Sequence, residues 1–348
     1  MSMHRPDSHM PGVPDPAQAV ATAARLSVAP MIDWTDRHCR VFHRQLSRNA
    51  LLYTEMVTAP ALVRGGALHL LDFSPEEYPV ALQLGGSDPA ELAEAARLGA
   101  ARGYAEINLN VGCPSDRVQS GTFGAVLMRS PDLVARCVAA MREAVEIPVT
   151  VKCRIGVEEQ EPRAILPEFL SRIREAGADR AIVHARKAWL QGLSPKENRN
   201  VPPLDHDLVE EMGAAFPELA ISINGGIGTL ADAEAFLARG VFGVMIGRAA
   251  YQRPWDILAE ADARIFGADR PAPDPVEIVA AMRPYLERHV AAGGRPHQVT
   301  RHMMGLFAGR PGARAWRRAL SELGTRPDAG AESLDVALAA VGAERDAA

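Results

Sequence analysis

Glu106 to Arg117 reads EINLNVGCPSDR. Ile107, Leu109 and Val111 alternate with Asn108 and Asn110, the period of a strand whose one face packs while the other presents amide donors and acceptors. Gly112 and Pro114 then turn the chain sharply, so the strand runs straight into a polar loop that carries one cysteine. Cys113 lies between a residue that tolerates nearly any φ and one that fixes it, which predicts a thiol held at a defined angle at the mouth of a pocket. The plainer alternative is an inert buried thiol, and Cys39, Cys137 and Cys153 fit that description better.

The same order of strand, loop and helix recurs on both sides of this stretch. Runs at LSVAP (26–30), ALLYT (50–54), PVALQL (79–84), PVTVKC (148–153), RAIVH (180–184), LAISIN (219–224) and VFGVMIG (241–247) join EINLN as strands, each followed by a helical pattern. Asp88-Pro89, for example, opens the helix AELAEAARLGAARG. Eight such units over roughly 240 residues predict an α/β chain folded as a (β/α)8 TIM barrel, whose usual size is about 250 residues, with an open doubly wound sheet as the alternative. In a barrel every loop after a strand lies on one face. Met31, Glu55, Gln83, Asn110, Cys113, Lys152, His184, Asn224, Gly225, Gly226, Gly247 and Arg248 then converge on a single site.

From about Asp274 only helical patterns remain: VEIVAAMRPYLERHVAAG, HQVTRHMMGLFAG, ARAWRRALSELG and ESLDVALAAVGAERDA, after a Pro-rich linker DRPAPDP at 269–275. The expected organisation is a disordered tail over 1–22, a barrel over 23–268 and a small helical domain over 275–345. At 348 residues and 47% hydrophobic content the chain can fill a large core. Four separated cysteines, no signal-peptide pattern and no apolar run of bilayer length point to a globular protein of the reducing cytoplasm, free of metal and membrane. A monomer is expected. A net charge of −5 argues against indiscriminate binding to polyanions, though not against a local basic face.

INGGI (223–227) and MIGRA (245–249) end the seventh and eighth strands, where barrels hold phosphate on backbone N–H groups, and Arg248 adds a fixed cation. Lys152 is the one charge in PVTVK, suited either to a Schiff base or to a place beside an electron-rich cofactor ring. Gln83, Lys152 and His184 around one phosphate site suit a flavin, and no GxGxxG follows a strand. From Arg295 to Arg318 the basic residues Arg301, Arg310, Arg314, Arg317 and Arg318 have no Asp or Glu among them, and Arg314, Arg317 and Arg318 fall at i, i+3 and i+4 of a helix, as a phosphate-binding face would. Arg186, Lys187, Lys196 and Arg199 add cations beside the mouth.

The motifs APMIDWTDRHCR, LLYTEMVT, ALQLGGSDP, EINLNVGCPSDRV, VTVKCRIG, VHARKAWLQGLSPKENR, INGGI, GVMIGR and RPGARAWRR resemble those of the tRNA-dihydrouridine synthases, most closely the bacterial A-type subfamily, from about residue 26 to 320. The resemblance implies an FMN-bound barrel with a helical tRNA-binding domain that reduces a D-loop uridine, about position 20/20a, with NADPH. It implies FMN contacts at Pro30, Met31, Gln83, Lys152, His184, Asn224 to Gly226, Gly247 and Arg248. Cys113 is implied as the proton donor to uracil C5 once hydride reaches C6 from flavin N5, and Asn110, Lys196, Arg199, Arg314 and Arg317 as tRNA contacts. Cys153 stands where Thr is expected, and Val126 where the subfamily often has Cys. The rival readings are a flavin barrel acting on a small molecule such as dihydroorotate, a Lys152 Schiff-base lyase, and a tRNA-binding module without catalysis.

Overall fold

The computed structural model describes residues 16–115, 123–324, 326 and 329–346. Eight parallel strands close on themselves in sequence order: β1 (Leu26–Val28), β2 (Leu51–Thr58), β3 (Val80–Gly85), β4 (Glu106–Val111), β5 (Val149–Arg154), β6 (Arg180–His184), β7 (Ala220–Asn224) and β8 (Gly243–Ile246). The predicted (β/α)8 barrel is therefore the fold, and the open sheet is excluded by the β1–β8 pairing of Leu26 with Val244. β2 continues beyond the expected Thr54, because an irregularity between Tyr53 and Met56 lets pairing resume at Met56–Gln83. That bulge carries Glu55 to the mouth within a strand instead of a loop.

An apolar layer between strands and helices forms the main core, with Val41, Phe42, Leu82, Ile107, Val151 and Phe169 among its buried members. Inside the barrel a smaller cluster of Ala29, Leu51, Tyr53, Ala81, Ile182 and Met245 is closed at the strands' N-terminal end by Val20, Ala23 and Ala24. Val20 and Ala23 belong to a helix, Pro16–Ala23. The expectation of a disordered tail as far as residue 22 is thus corrected, since burying these apolar side chains against the barrel floor stabilises the helix. Residues 1–15 of that expected tail lie outside the described residues.

Past the barrel, helices Pro275–Ala291, Ala313–Leu323 and Glu332–Asp346 follow the predicted pattern. The fourth, expected over HQVTRHMMGLFAG, is a short helix, Pro296–Thr300, followed by one 3-10 turn at Arg301–Met303. This helical region shares a continuous core with the barrel through Ile278, Met282, Leu306 and Trp316. The linker is strapped down as well: Trp255 Nε1 donates to Pro273 O at 2.8 Å, and Arg270 pairs with buried Asp262 at 2.7 Å.

Candidate active site

Alternation along β4 sends Glu106, Asn108 and Asn110 into the barrel, while along β5 it sends Thr150 and Lys152 inward and leaves Cys153 fully buried on the other side. The Cys-for-Thr departure at 153 therefore touches packing alone. At the top of β4 the Asn110 Oδ1 accepts from both Gly112 N and Cys113 N, each at 3.0 Å. Ala125 N donates to Cys113 O at 2.9 Å and Arg154 Nε to Gly112 O at 3.1 Å, so the turn before and after the thiol is pinned from three directions. Cys113 is the one free cysteine that is not buried, as its neighbours Gly112 and Pro114 predict. Residues 116–122 lie outside the described residues.

The other expected residues meet at the same end of the barrel. Gln83 Oε1 accepts from Asn110 Nδ2 at 2.8 Å, and Lys152 Nζ donates to Asn224 Oδ1 at 3.1 Å while Asn224 Nδ2 donates to Met245 O at 2.8 Å. Gly225 and Gly226 have φ of +107° and +74°, and a Cβ at Gly225 would lie 2.5 Å from His184 Cδ2. A side chain there is excluded twice over, by conformation and by space. Met31, in the loop after Pro30, brings its sulfur within 3.6 Å of where a Gly247 Cβ would stand. Arg248 donates to Asn200 Oδ1 at 2.7 Å and to Arg199 O at 3.2 Å, fixing it beside the long loop that follows β6.

Cations crowd this mouth. Burial first, then the Arg154 cation, lowers the Lys152 ammonium from 10.5 to about 8. Burial and the cations of Arg154, Lys152, Arg186 and Arg248 hold His184 well below the usual histidine range, so its ring is neutral at pH 7. Arg186 and Arg199 are depressed by desolvation and then by Arg248, and Arg186 Nε is buried without a partner among the described residues. Such an arrangement fits a ligand bearing a phosphate: glycine loops leave backbone open to it, and the cations gain a counter-charge when it arrives. The donor set is compatible with the flavin mononucleotide that the family resemblance implies.

Arg154 had no role in the sequence reading, yet it donates to Lys187 O at 3.3 Å and Asn198 O at 3.0 Å as well as to Gly112, tying the β6 loop to the cysteine turn. Its signal was there in the strand period, since Thr150, Lys152 and Arg154 alternate. Lys196 and Arg199 are exposed on that loop, and Arg314, Arg317 and Arg318 are exposed on their helix, opposite buried Ala315, Trp316 and Leu320. Asn110, by contrast, is buried, with one Nδ2 hydrogen left over among the described residues after the bonds above. Arg301 and Arg310 leave the expected basic face: they pair with Asp36 at 2.6 Å and Asp256 at 3.2 Å, acids of the barrel rather than of their own segment. A cleft of about 480 Å3 lined by Leu71, Asp72, Phe73, Pro75, Tyr78 and Arg102 lies where the strands begin, at the opposite end from these groups.

The fold and the site together define a barrel protein whose chemistry gathers at the C-terminal ends of its strands, around a pinned cysteine turn and a phosphate-ready pair of loops. The chain belongs to the dihydrouridine synthase family, whose profile matches residues 27–341. It is 55% identical over 333 residues to a tRNA-dihydrouridine(20/20a) synthase of Salmonella typhi, covering 95% of this chain and 99% of the relative. It is 56% identical over 324 residues to the protein of that name from Escherichia coli K12 (93% of each chain), and 53% over 320 residues to that of Vibrio cholerae (92% and 97%).

Proposed function

We propose that the protein reduces a D-loop uridine of tRNA, at position 20/20a, to 5,6-dihydrouridine, with FMN as bound cofactor and NADPH as electron donor. The observation that carries the reading is the Cys113 turn, pinned by Asn110 and Arg154 beside the Lys152–Asn224 pair. Bound FMN, recharged by NADPH, would supply the two electrons and the hydrogen that uracil C6 receives. Cys113 gives its S–H proton to C5, and the thiolate it leaves faces the cations of Lys152 and Arg154 until solvent reprotonates it. Asn224 orients the Lys152 ammonium, and neutral His184, closed in against Gly225, packs the phosphate loop.

A uridine within folded tRNA reaches such a mouth only if it is turned out of its stack, which costs a few kcal/mol. Lys196 and Arg199 at the rim, and Arg314 and Arg317 on the helical region, are the exposed cations that hold the RNA backbone and offset that cost. Asn110, at the top of β4 beside the cysteine turn, is the amide that would meet the flipped base. The test is to incubate the protein with unmodified tRNA and NADPH, digest the RNA and look by mass spectrometry for a uridine heavier by two hydrogens. The product is expected at position 20/20a; its absence with an FMN-loaded protein would overturn the proposal.

A further inference from the structure

A directed line of hydrogen bonds climbs the inside of the barrel from its floor to the cysteine turn. At the floor, side chains from three alternate strands meet: Arg180 of β6 donates to Glu106 of β4 at 2.6 Å and to the Tyr53 hydroxyl of β2 at 2.7 Å, and Tyr53 donates to Glu106. Thr150 Oγ1 donates to Glu106 Oε1 at 2.6 Å and accepts from Asn108 Nδ2 at 2.8 Å. Asn108 Oδ1 accepts from Gln83 Nε2 at 2.8 Å, and Gln83 Oε1 from Asn110 Nδ2 at 2.8 Å. The Asn110 Oδ1 that remains takes the two backbone N–H groups of the turn.

The chemistry of the groups fixes the sense of every link. A carboxylate paired with Arg180 only accepts, so Thr150 must donate to it and keeps its lone pairs for Asn108. Each amide above then has one end committed, and a single reversed amide would set two donors or two acceptors face to face at the next link. In a site this deeply buried such a mismatch costs far more than in water. The sense imposed at the floor is the one the turn requires, because Gly112 and Cys113 need an oxygen facing them.

We infer that Glu106 and Thr150 are positioning residues for the reaction: through Asn108, Gln83 and Asn110 they hold the backbone of Cys113 and fix which end of the Gln83 amide faces the mouth. This deepens the reading of Cys113 as proton donor and rests on it. Neither residue touches the reacting atoms. The column also explains buried amides on β4 that apolar side chains would otherwise replace.

The decisive pair of variants is Thr150→Val, which keeps the shape and loses the hydroxyl, and Thr150→Ser, which keeps the hydroxyl and loses a methyl. On the purified full-length protein, hydrogen exchange at the Gly112 and Cys113 amides is expected to be about three- to tenfold faster in Thr150→Val and parental in Thr150→Ser. With tRNA, Thr150→Val should lower kcat by about tenfold at unchanged KM, while Thr150→Ser retains the parental kcat. Parental exchange in Thr150→Val, damage in Thr150→Ser equal to or greater than in Thr150→Val, or faster exchange with parental kcat would each overturn the inference. The exchange measurement needs neither flavin nor RNA. A wild type that fails to reduce tRNA would sink the proposed function, while the exchange pattern would still decide whether the column holds the turn.

Discussion

The barrel mouth and the helix Ala313–Leu323 are both rich in cations, and they hold them under opposite conditions. At the mouth burial comes first and crowding second: Arg154 is lowered to about 10 and Lys152 to about 8. On the helix Arg314, Arg317 and Arg318 stand in solvent on the face opposite Trp316. Desolvated, mutually repelling charges are costly until an anion of the right shape arrives, so they select a ligand by geometry. Solvated charges attract any phosphate backbone and are screened by salt within about 8–10 Å. We therefore propose the first as the cofactor and base site and the second as a docking face for the RNA backbone.

Cys113→Ala breaks the comparison at its chemical end, because it leaves both sets of cations in place. FMN binding and reduction by NADPH are expected to persist, with reoxidation by tRNA slowed by about 10² to 10⁴, the usual worth of a positioned general acid. A rapid-mixing measurement of flavin reoxidation with and without tRNA checks this. Parental reoxidation would remove the proton-donor role while leaving the fold and the docking face untouched.

Lys152→Met sharpens the comparison at its buried cation. Losing a charged hydrogen-bond partner should weaken FMN about 10- to 100-fold, read from flavin content and titration. The pH dependence has a definite sign. Folding lowers the Lys152 pKa from 10.5 to about 8, so between those values the unfolded chain binds more protons than the native one. Stability of the flavin-free protein should therefore rise with pH across that window relative to Lys152→Met, with the full penalty in place below about 8. Flavin affinity should move the other way, falling as pH rises through about 8, because the electron-rich ring is held by the protonated ammonium. A flat difference between wild type and variant in either titration would place Lys152 outside the charged site.

The eight strand-loop-helix units, and with them the converging strand ends, were legible because parallel barrels repeat one short pattern that each segment states for itself. The places where Gln83, Lys152, His184, Asn224 and Gly247 stand follow directly from strand period and topology. What was hidden depends on pairs far apart in the chain. Arg180 meets Tyr53 across 127 positions and Thr150 meets Glu106 across 44, so the polar column has no local signature. The helix Pro16–Ala23 is short and Pro-flanked, and only its docking on the barrel floor makes it worth forming. Glu55 looked like the end of β2 because the bulge after Tyr53 breaks the alternation.

Arg301 and Arg310 carry the same lesson into the basic segment, and they set up the smallest expected effect. The absence of acids between 295 and 318 suggested one continuous phosphate-binding face, yet Asp36 and Asp256 come from the barrel to pair with these two arginines. Arg310 also lies 3.9 Å from the centre of the Trp255 ring, so it fastens the helical region instead of facing RNA. Replacing Arg314 and Arg317 together should reduce the slope of log K against log salt for tRNA by about 0.7 to 0.9 per lost contact, with NADPH oxidation by the flavin unchanged. Arg310→Ala should lower the Tm and leave that slope at its parental value. Equal slopes for the double variant and wild type would move the docking face away from this helix; a shallower slope in Arg310→Ala would return Arg310 to it.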